Sequence, residues 1–143
     1  MLAYQVNKPA RYEKIELPLI NKWVESLRSG RFKKSKGFLF DGKGFCCLGV
    51  LCISEGCDRI DIENQKILDR SMRNLIFGSV GLFPRNCSVT SMTGGENIEH
   101  YSLAALNDNS ELTFSQIADV IEEFWNPVGD GCSCTNLRDA DLR

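Results

Sequence analysis

Apolar side chains recur at helical spacing near the start of the chain. The stripe consists of Leu19, Ile20, Trp23, Val24 and Leu27. Residues three and four positions apart share one face of a helix, so these side chains form one apolar stripe. Pro18 precedes the stripe and Gly30 follows it, which is typical of a helix start and a helix end. The pattern predicts an amphipathic helix over this segment.

A second apolar stripe lies in the last third of the chain. It consists of Phe114, Ile117, Ala118, Ile121, Phe124 and Trp125. Thr113 and Gln116 precede or open the stripe at the spacing of a capping box, and Pro127 follows it. The residue before a proline is disfavoured in helical geometry, so the helix is expected to end before Pro127. We therefore predict the last long helix here.

Between these helices, residues 45–53 are apolar without alternation. The run is too long and uniform for a half-exposed strand, and Gly56 is a typical helix stop. We interpret the segment as a buried helix. Residues 37–40 resemble a strand entering a tight turn at 41–44, which predicts a short hairpin just before that helix.

The remaining segments predict smaller elements. Residues 58–66 are polar and loop-like, whereas a helical stripe at 68–76 closed by Gly78 indicates a third helix. Residues 87–92 and 97–101, separated by Gly94 and Gly95, favour a second hairpin, and 102–106 favour one helical turn. We expect a compact α+β domain at residues 1–125, with three to four helices and two short hairpins. Residues 126–143 are expected to form a polar acidic tail, loose or docked.

Composition describes a chain with one core and reduced thiols. At 143 residues the chain is long enough to be stable without disulfides or metal. Its seven cysteines are an odd number, and the N-terminus lacks the pattern of a secretory signal, so a disulfide framework is not expected. No segment has the length of apolar sequence that spans a membrane. A cytosolic protein with no membrane partner is the expectation.

Charge is unevenly distributed along the chain. Residues 1–50 carry ten basic and four acidic side chains, whereas residues 96–143 carry two basic and ten acidic ones, although the net charge is only −2. The two ends could attract each other, or they could form a basic face and an acidic face. Composition does not choose between these arrangements.

Several sequence blocks together resemble a known group of proteins. The blocks are Trp23, Leu27 and Ser29-Gly30, then residues 44–52, then 103–108, then Thr113-Phe114 with 117–122. In this order they resemble a family of small proteins encoded mainly by bacteriophages and prophages, over about residues 19–123. The resemblance implies no established activity. It implies a viral accessory protein of the host cytoplasm, because small phage proteins often bind or disable host components, including defence proteins.

The cysteines raise the question of a metal site. The candidates are Cys46, Cys47, Cys52, Cys57, Cys132 and Cys134. On a helix, Cys52 lies about 140° from Cys47 and about 120° the other way from Cys46, so the three cannot converge on one ion. The spacing also lacks the paired knuckles of zinc modules. We therefore expect neither a metal site nor a cofactor, and interpret most of these cysteines as small buried hydrophobic residues.

A cysteine hydrolase or amidase is the enzymatic alternative. Cys46 or Cys47 would lie in the first turn of a helix, where the macrodipole favours thiolate. His100 is the one histidine of the chain, and Asn107 follows it, which gives the Cys, His, Asn order of papain-like hydrolases. Asn107 also belongs to the polar string 106–110, which ordinary turn chemistry explains without a ligand.

A basic segment, residues 28–36, is the candidate binding surface. Its side chains of interest are Arg28, Arg31, Phe32, Lys33, Lys34 and Lys36. Cations interleaved with an aromatic ring suit a phosphorylated small molecule or an acidic host protein, whereas nucleic acid is not expected at this net charge. The acidic C-terminal region could instead neutralise the segment. We favour a binding protein, and a minor virion or assembly component stays open, as does the oligomeric state.

Overall fold

The chain forms an α+β fold, as predicted. The structure, a computed structural model, describes residues 4–12, 14–64, 82–93 and 95–127. Its helices are α1 (Ile20–Arg28), α2 (Cys47–Ser54), α3 (Arg59–Asn64), α4 (Leu103–Asn109) and α5 (Phe114–Phe124). Its strands are β1 (Tyr4–Asn7), β2 (Ile15–Glu16), β3 (Ser88–Thr93), β4 (Glu96–His100) and β5 (Trp125–Asn126).

Two small sheets connect distant parts of the chain. β3 and β4 form the predicted second hairpin, and β1 pairs antiparallel with the other side of β3. β2 pairs in parallel with β5, and the N–H of Leu17 extends this pairing by donating to the carbonyl oxygen of Asn126 at 2.8 Å. The short strands β1, β2 and β5 were not predicted, because their partners are far away in sequence.

Helices α1 and α5 form one side of the core. The predicted apolar stripes bury Trp23 and Leu27 of α1 and Ile121 of α5, and the two helices pack against each other. At the edge of this contact, the Arg28 guanidinium pairs with Asp119 and lies 2.7 Å from a carboxylate oxygen of Glu122. The acidic C-terminal region therefore neutralises part of the basic segment, as one of the two charge arrangements predicted.

Helix α2 is buried from Cys47 to Cys52, which confirms the interpretation of the apolar run. Cys47, Val50, Leu51 and Cys52 are completely inaccessible. The backbone of residue 39 crosses α2 so closely that a Cβ placed on Gly49 would lie 1.8 Å from the carbonyl oxygen of Leu39. Only glycine permits this approach, which explains why Gly49 lies among the apolar side chains of α2.

The predicted first hairpin is present only as a single antiparallel bridge between Phe40 and Phe45, around the expected turn at 41–44. The two ladder bonds beside the bridge run from the N–H of Asp41 to the carbonyl oxygen of Gly44 at 3.1 Å and from the N–H of Cys46 to the carbonyl oxygen of Leu39 at 3.3 Å. The N–H and carbonyl oxygen of Phe45 bond on the other side, to Lys33 and Ser35, both at 2.8 Å. The ladder is no longer than this because α2 begins at Cys47.

Three other expectations have mixed outcomes. Residues 58–66 were predicted to be a loop, but α3 occupies Arg59–Asn64. The helical turn predicted at 102–106 is the start of α4, which Ser102 caps by accepting from the N–H of Ala105, and the helix extends to Asn109. The predicted third helix at 68–76 and the tail from residue 128 onward lie outside the described residues.

Candidate functional site

The start of α2 is held by a side chain from a distant helix. Among the described residues, Cys46 provides no side-chain cap for α2. Instead, the amide oxygen of Asn107 accepts from the N–H of Cys47 at 3.1 Å, and its amide nitrogen donates to the carbonyl oxygen of Ser35 at 2.9 Å. Asn107 is fully buried inside α4. The expectation of local turn chemistry at Asn107 was therefore wrong, since its side chain joins segments that are far apart in sequence.

The two candidate nucleophiles are shielded from solvent. Burial raises the pKa of the Cys46 thiol and raises that of Cys47 well above its ordinary value. The Cys47 sulfur lies 3.8 Å from the carbonyl oxygen of Leu103. The expectation that the helix start would lower these pKa values was wrong in sign, because the cost of burying a thiolate exceeds the effect of the nearby backbone N–H groups.

His100 takes part in a separate hydrogen bond. Its side chain is buried, and its Nε2 lies 2.7 Å from the Ser91 hydroxyl oxygen on the adjacent strand. Burial lowers the pKa of His100, so the neutral imidazole is favoured. Asn107 therefore contacts the backbone of Cys47, whereas His100 forms its hydrogen bond with Ser91. These contacts offer no support for a Cys, His, Asn relay.

A groove of about 430 Å³ lies between the basic segment and the start of α5. The basic segment contributes Arg28, Phe32, Lys34 and Lys36 to its lining. From the other side come Glu111, the N-terminal capping residue Thr113, and the first two residues of α5, Phe114 and Ser115. The groove thus has three cations and one carboxylate among its lining residues.

The groove divides the predicted binding residues into two groups. Arg31 and Lys33 are exposed and are not part of the lining. The Arg31 guanidinium lies 5.6 Å from the centroid of the Phe32 ring, and it bonds to the Ser29 hydroxyl at 3.1 Å. Phe32 itself packs edge-on against Phe45, with ring centroids 5.3 Å apart. These contacts fix the aromatic ring at the base of the segment.

Lys34 connects the groove with the buried start of α2. It is half-buried, and its ammonium donates to the carbonyl oxygen of Asn107 at 2.9 Å. Burial, followed by repulsion from Lys36, lowers the pKa of Lys34. Lys36 lies 3.8 Å from a carboxylate oxygen of Glu111, in a solvent-exposed pair of the kind that contributes little to stability. An anion near Lys34 would stabilise its ammonium and so offset the desolvation and the repulsion from Lys36.

The start of α5 adds backbone donors to the groove. The predicted capping box is present: the Thr113 hydroxyl oxygen accepts from the N–H of Gln116 at 3.2 Å, and the Gln116 side chain accepts from the N–H of Thr113 at 2.9 Å. The N–H groups of Phe114 and Ser115 lie in the first turn, where they have no acceptor within the helix. A helix start with such donors attracts anions. The sequence showed the capping box but not that it would face the basic segment.

A second, smaller cavity of about 280 Å³ lies elsewhere on the surface. Arg11 and Arg85 both line it, together with Tyr12 and Asn86, which adopts a left-handed conformation with φ of 65°. Neither arginine forms an ion pair with any residue that the structure describes. Neither arginine belongs to a pattern in the sequence, since they are isolated charges in separate loops.

Two further observations concern metal-ligating groups and membrane spans among the described residues. Within residues 4–12, 14–64, 82–93 and 95–127, no three or more His, Cys, Asp or Glu side chains are grouped so that they could hold a metal ion. No helix in this part of the chain is long and apolar enough to cross a membrane.

Comparison with known proteins gives one match. No curated protein sequence and no solved structure matches the chain. The matched segment, residues 17–84, contains α1, the whole basic segment, α2 and α3, and it covers slightly less than half of the chain. Over that segment the chain is similar to a family described as a domain of unknown function (DUF8296).

Proposed function

We propose that this protein is a phage accessory protein that acts in the host cell by binding a phosphorylated small molecule in the groove between the basic segment and α5. The viral context rests on the resemblance of the sequence blocks described above. The observation that carries the ligand class is that Lys34, Lys36 and the first turn of α5 line one cavity of about 430 Å³. Arg28 also lines it but is already paired with Asp119 and Glu122. Charged donors and backbone N–H groups are the partners that phosphate oxygens prefer.

The size of the groove favours a small ligand over a protein surface. Its volume lies within the roughly 300–1,000 Å³ typical of small-molecule sites. Phe32 supplies an apolar wall beside the cations, so a phosphate ester with an organic portion fits better than free phosphate. Glu111 opposes an anion, and we infer that a bound phosphate replaces its carboxylate as the neighbour of Lys36. Sequestration of the ligand is the resulting action.

The proposal is tested by calorimetric titration of the full chain with nucleoside mono-, di- and triphosphates and with sugar phosphates. We expect at least one ligand to bind and its affinity to fall as salt is raised, because the contacts are ionic. Lys36→Gln, which removes one groove cation, is expected to weaken binding by about tenfold, equivalent to about 1.4 kcal/mol. Lys33→Gln is the matched control, since Lys33 is exposed and does not line the groove.

Other outcomes have defined meanings. If Lys33→Gln weakens binding as much as Lys36→Gln, the interaction is a general charge effect and the groove assignment fails. If Arg85→Gln abolishes binding while Lys36→Gln does not, the ligand occupies the second cavity. If no phosphorylated compound binds to folded protein, the small-molecule proposal is wrong. Capture of an acidic host protein that depends on Lys36 would then favour masking of a host component instead.

A further inference from the structure

Two cysteines meet at the C-terminal end of α2. The helix ends at Gly56, which has φ of 97°, and the Gly56 N–H donates to the carbonyl oxygen of Ile53 at 3.0 Å. The Cys57 N–H donates to the carbonyl oxygen of Cys52, also at 3.0 Å. Together these two bonds form a Schellman motif, in which the side chains at the positions of Cys52 and Cys57 contact each other. An apolar pair usually occupies these positions, but here both residues are thiols.

The two thiols differ in their access to solvent. Cys52 is completely buried, whereas Cys57 is half-buried. Burial, followed by the proximity of Cys57 and Cys46 and a side-chain hydrogen bond with Cys57, raises the pKa of Cys52 to about 12. A dissolved oxidant therefore reaches Cys57 first, and Cys52 lies behind it. This arrangement places a resolving thiol beside an accessible one.

We propose that Cys52 and Cys57 form a site of oxidative modification, at which a peroxide converts the two thiols into an intrachain disulfide. The site lies outside the groove lining, so this inference is independent of the proposed ligand. The disulfide would fix the end of α2 without requiring any other cysteine. The backbone already holds the two residues in contact through the bond between the Cys57 N–H and the Cys52 carbonyl oxygen.

The reaction balances with hydrogen peroxide as the oxidant. The Cys57 thiolate attacks one peroxide oxygen, the O–O bond breaks, and the leaving hydroxide takes up the thiol proton as water. Cys57 is then a sulfenic acid. The Cys52 sulfur loses its proton and attacks the Cys57 sulfur, so that the S–S bond forms, the S–O bond breaks and a second water leaves. Because Cys52 holds its proton strongly, the second step is expected to become faster as pH rises.

The experiment uses the reduced full chain treated with hydrogen peroxide and then alkylated. Trypsin releases residues 44–59, which contain four cysteines, and cleavage after Glu55 separates residues 44–55 from 56–59. In oxidised protein we expect these two peptides to stay joined, with no alkyl group on Cys52 or Cys57 and with a mass two hydrogen atoms below that of the same pair carrying free thiols at these two positions. Fragmentation should assign the link to Cys52. Dithiothreitol should separate the peptides.

Variants make the assignment specific. Cys57→Ser and Cys52→Ser should each abolish the joined species, and Cys52→Ser should leave Cys57 as a sulfinic or sulfonic acid. Cys87→Ser is the control and should change nothing, since Cys87 lies on another segment, next to β3. If the circular dichroism spectrum of Cys52→Ser differs from that of the parent, this variant is misfolded and its result is set aside. Cys57→Ser alone then tests the proposed disulfide. The inference is overturned if Cys57 links mainly to another cysteine, or if it over-oxidises while Cys52 remains alkylated.

Discussion

The start of α2 and the groove beside α5 lie on either side of one hydrogen bond, from the Lys34 ammonium to the carbonyl oxygen of Asn107. On the α2 side, the thiols of Cys46 and Cys47 and the amide of Asn107 are buried, and the amide is bonded to protein. On the groove side, Lys36 is exposed to solvent. The first region uses its polar groups to hold the fold, whereas the second contains Lys36, whose only partner among the described residues is the exposed carboxylate of Glu111, and a ligand can replace that partner.

The burial of one region and the exposure of the other show which physical effect decides the role of a reactive side chain. A helix start favours negative charge by about 1 kcal/mol or less at exposed positions. Removing a thiolate from water costs more than that, and the pKa of Cys47 accordingly rises. Lys36 of the groove retains contact with water, so it can pair with an anion without a desolvation cost of this size. Exposure, more than residue type, therefore separates the structural region from the binding region.

Removing the Asn107 amide should have the largest effect on stability. Asn107→Ala leaves the Cys47 N–H and the Ser35 carbonyl oxygen without their buried partner, so we expect a loss of about 2–5 kcal/mol in the free energy of unfolding. Urea denaturation measures it. Asn109→Ala on the exposed side of the same helix is the control and should change stability by less than about 0.5 kcal/mol. Equal effects of both variants would mean that α4 matters only as a helix.

Adding one methyl group to α2 should have the next largest effect. Gly49→Ala normally stabilises a helix, but here the new Cβ collides with the Leu39 carbonyl oxygen, so we expect a loss of about 2–3 kcal/mol. Ser54→Ala, in the last turn of α2, is the control and should cost less than about 1 kcal/mol. Thermal or urea unfolding compares the two. A stabilised Gly49→Ala variant would show that the crossing backbone moves away easily.

The smallest effect concerns the pH dependence of ligand binding. Because burial and Lys36 lower the pKa of Lys34, this ammonium loses its proton at a lower pH than an ordinary lysine. Affinity for a phosphate ester should therefore begin to fall below the pH of about 10.4 at which an ordinary lysine loses its proton, in a range where the phosphate charge is constant. Calorimetric titration at several pH values measures the fall. Lys34→Gln should bind the phosphate ester more weakly and should not show this fall in affinity. If the fall is unchanged in Lys34→Gln, another group causes it.

Local patterns in the sequence were sufficient for α1, α2 and α5, but they missed α3. The uniform apolar run predicted α2, and the Thr113 and Gln116 pair predicted the start of α5, because both signals act within a few residues. The candidate site depended on distant contacts instead. Asn107 reaches Cys47 across sixty positions, and no local pattern encodes such a bond. The basic residues were identified correctly as neighbours in sequence, but only the fold shows which of them share the groove with α5.

The packing of α1 against α5 joins the segment that matches the family, residues 17–84, to a helix that follows it. The matched segment ends at residue 84, whereas α5 begins at Phe114, so the helix that covers the apolar face of α1 lies outside it. Asn107 likewise comes from beyond residue 84. A fragment of residues 17–84 alone would leave the side of α1 that packs on α5 exposed to water. The matched segment is therefore smaller than the packed core, and we expect it to fold only together with the residues that follow.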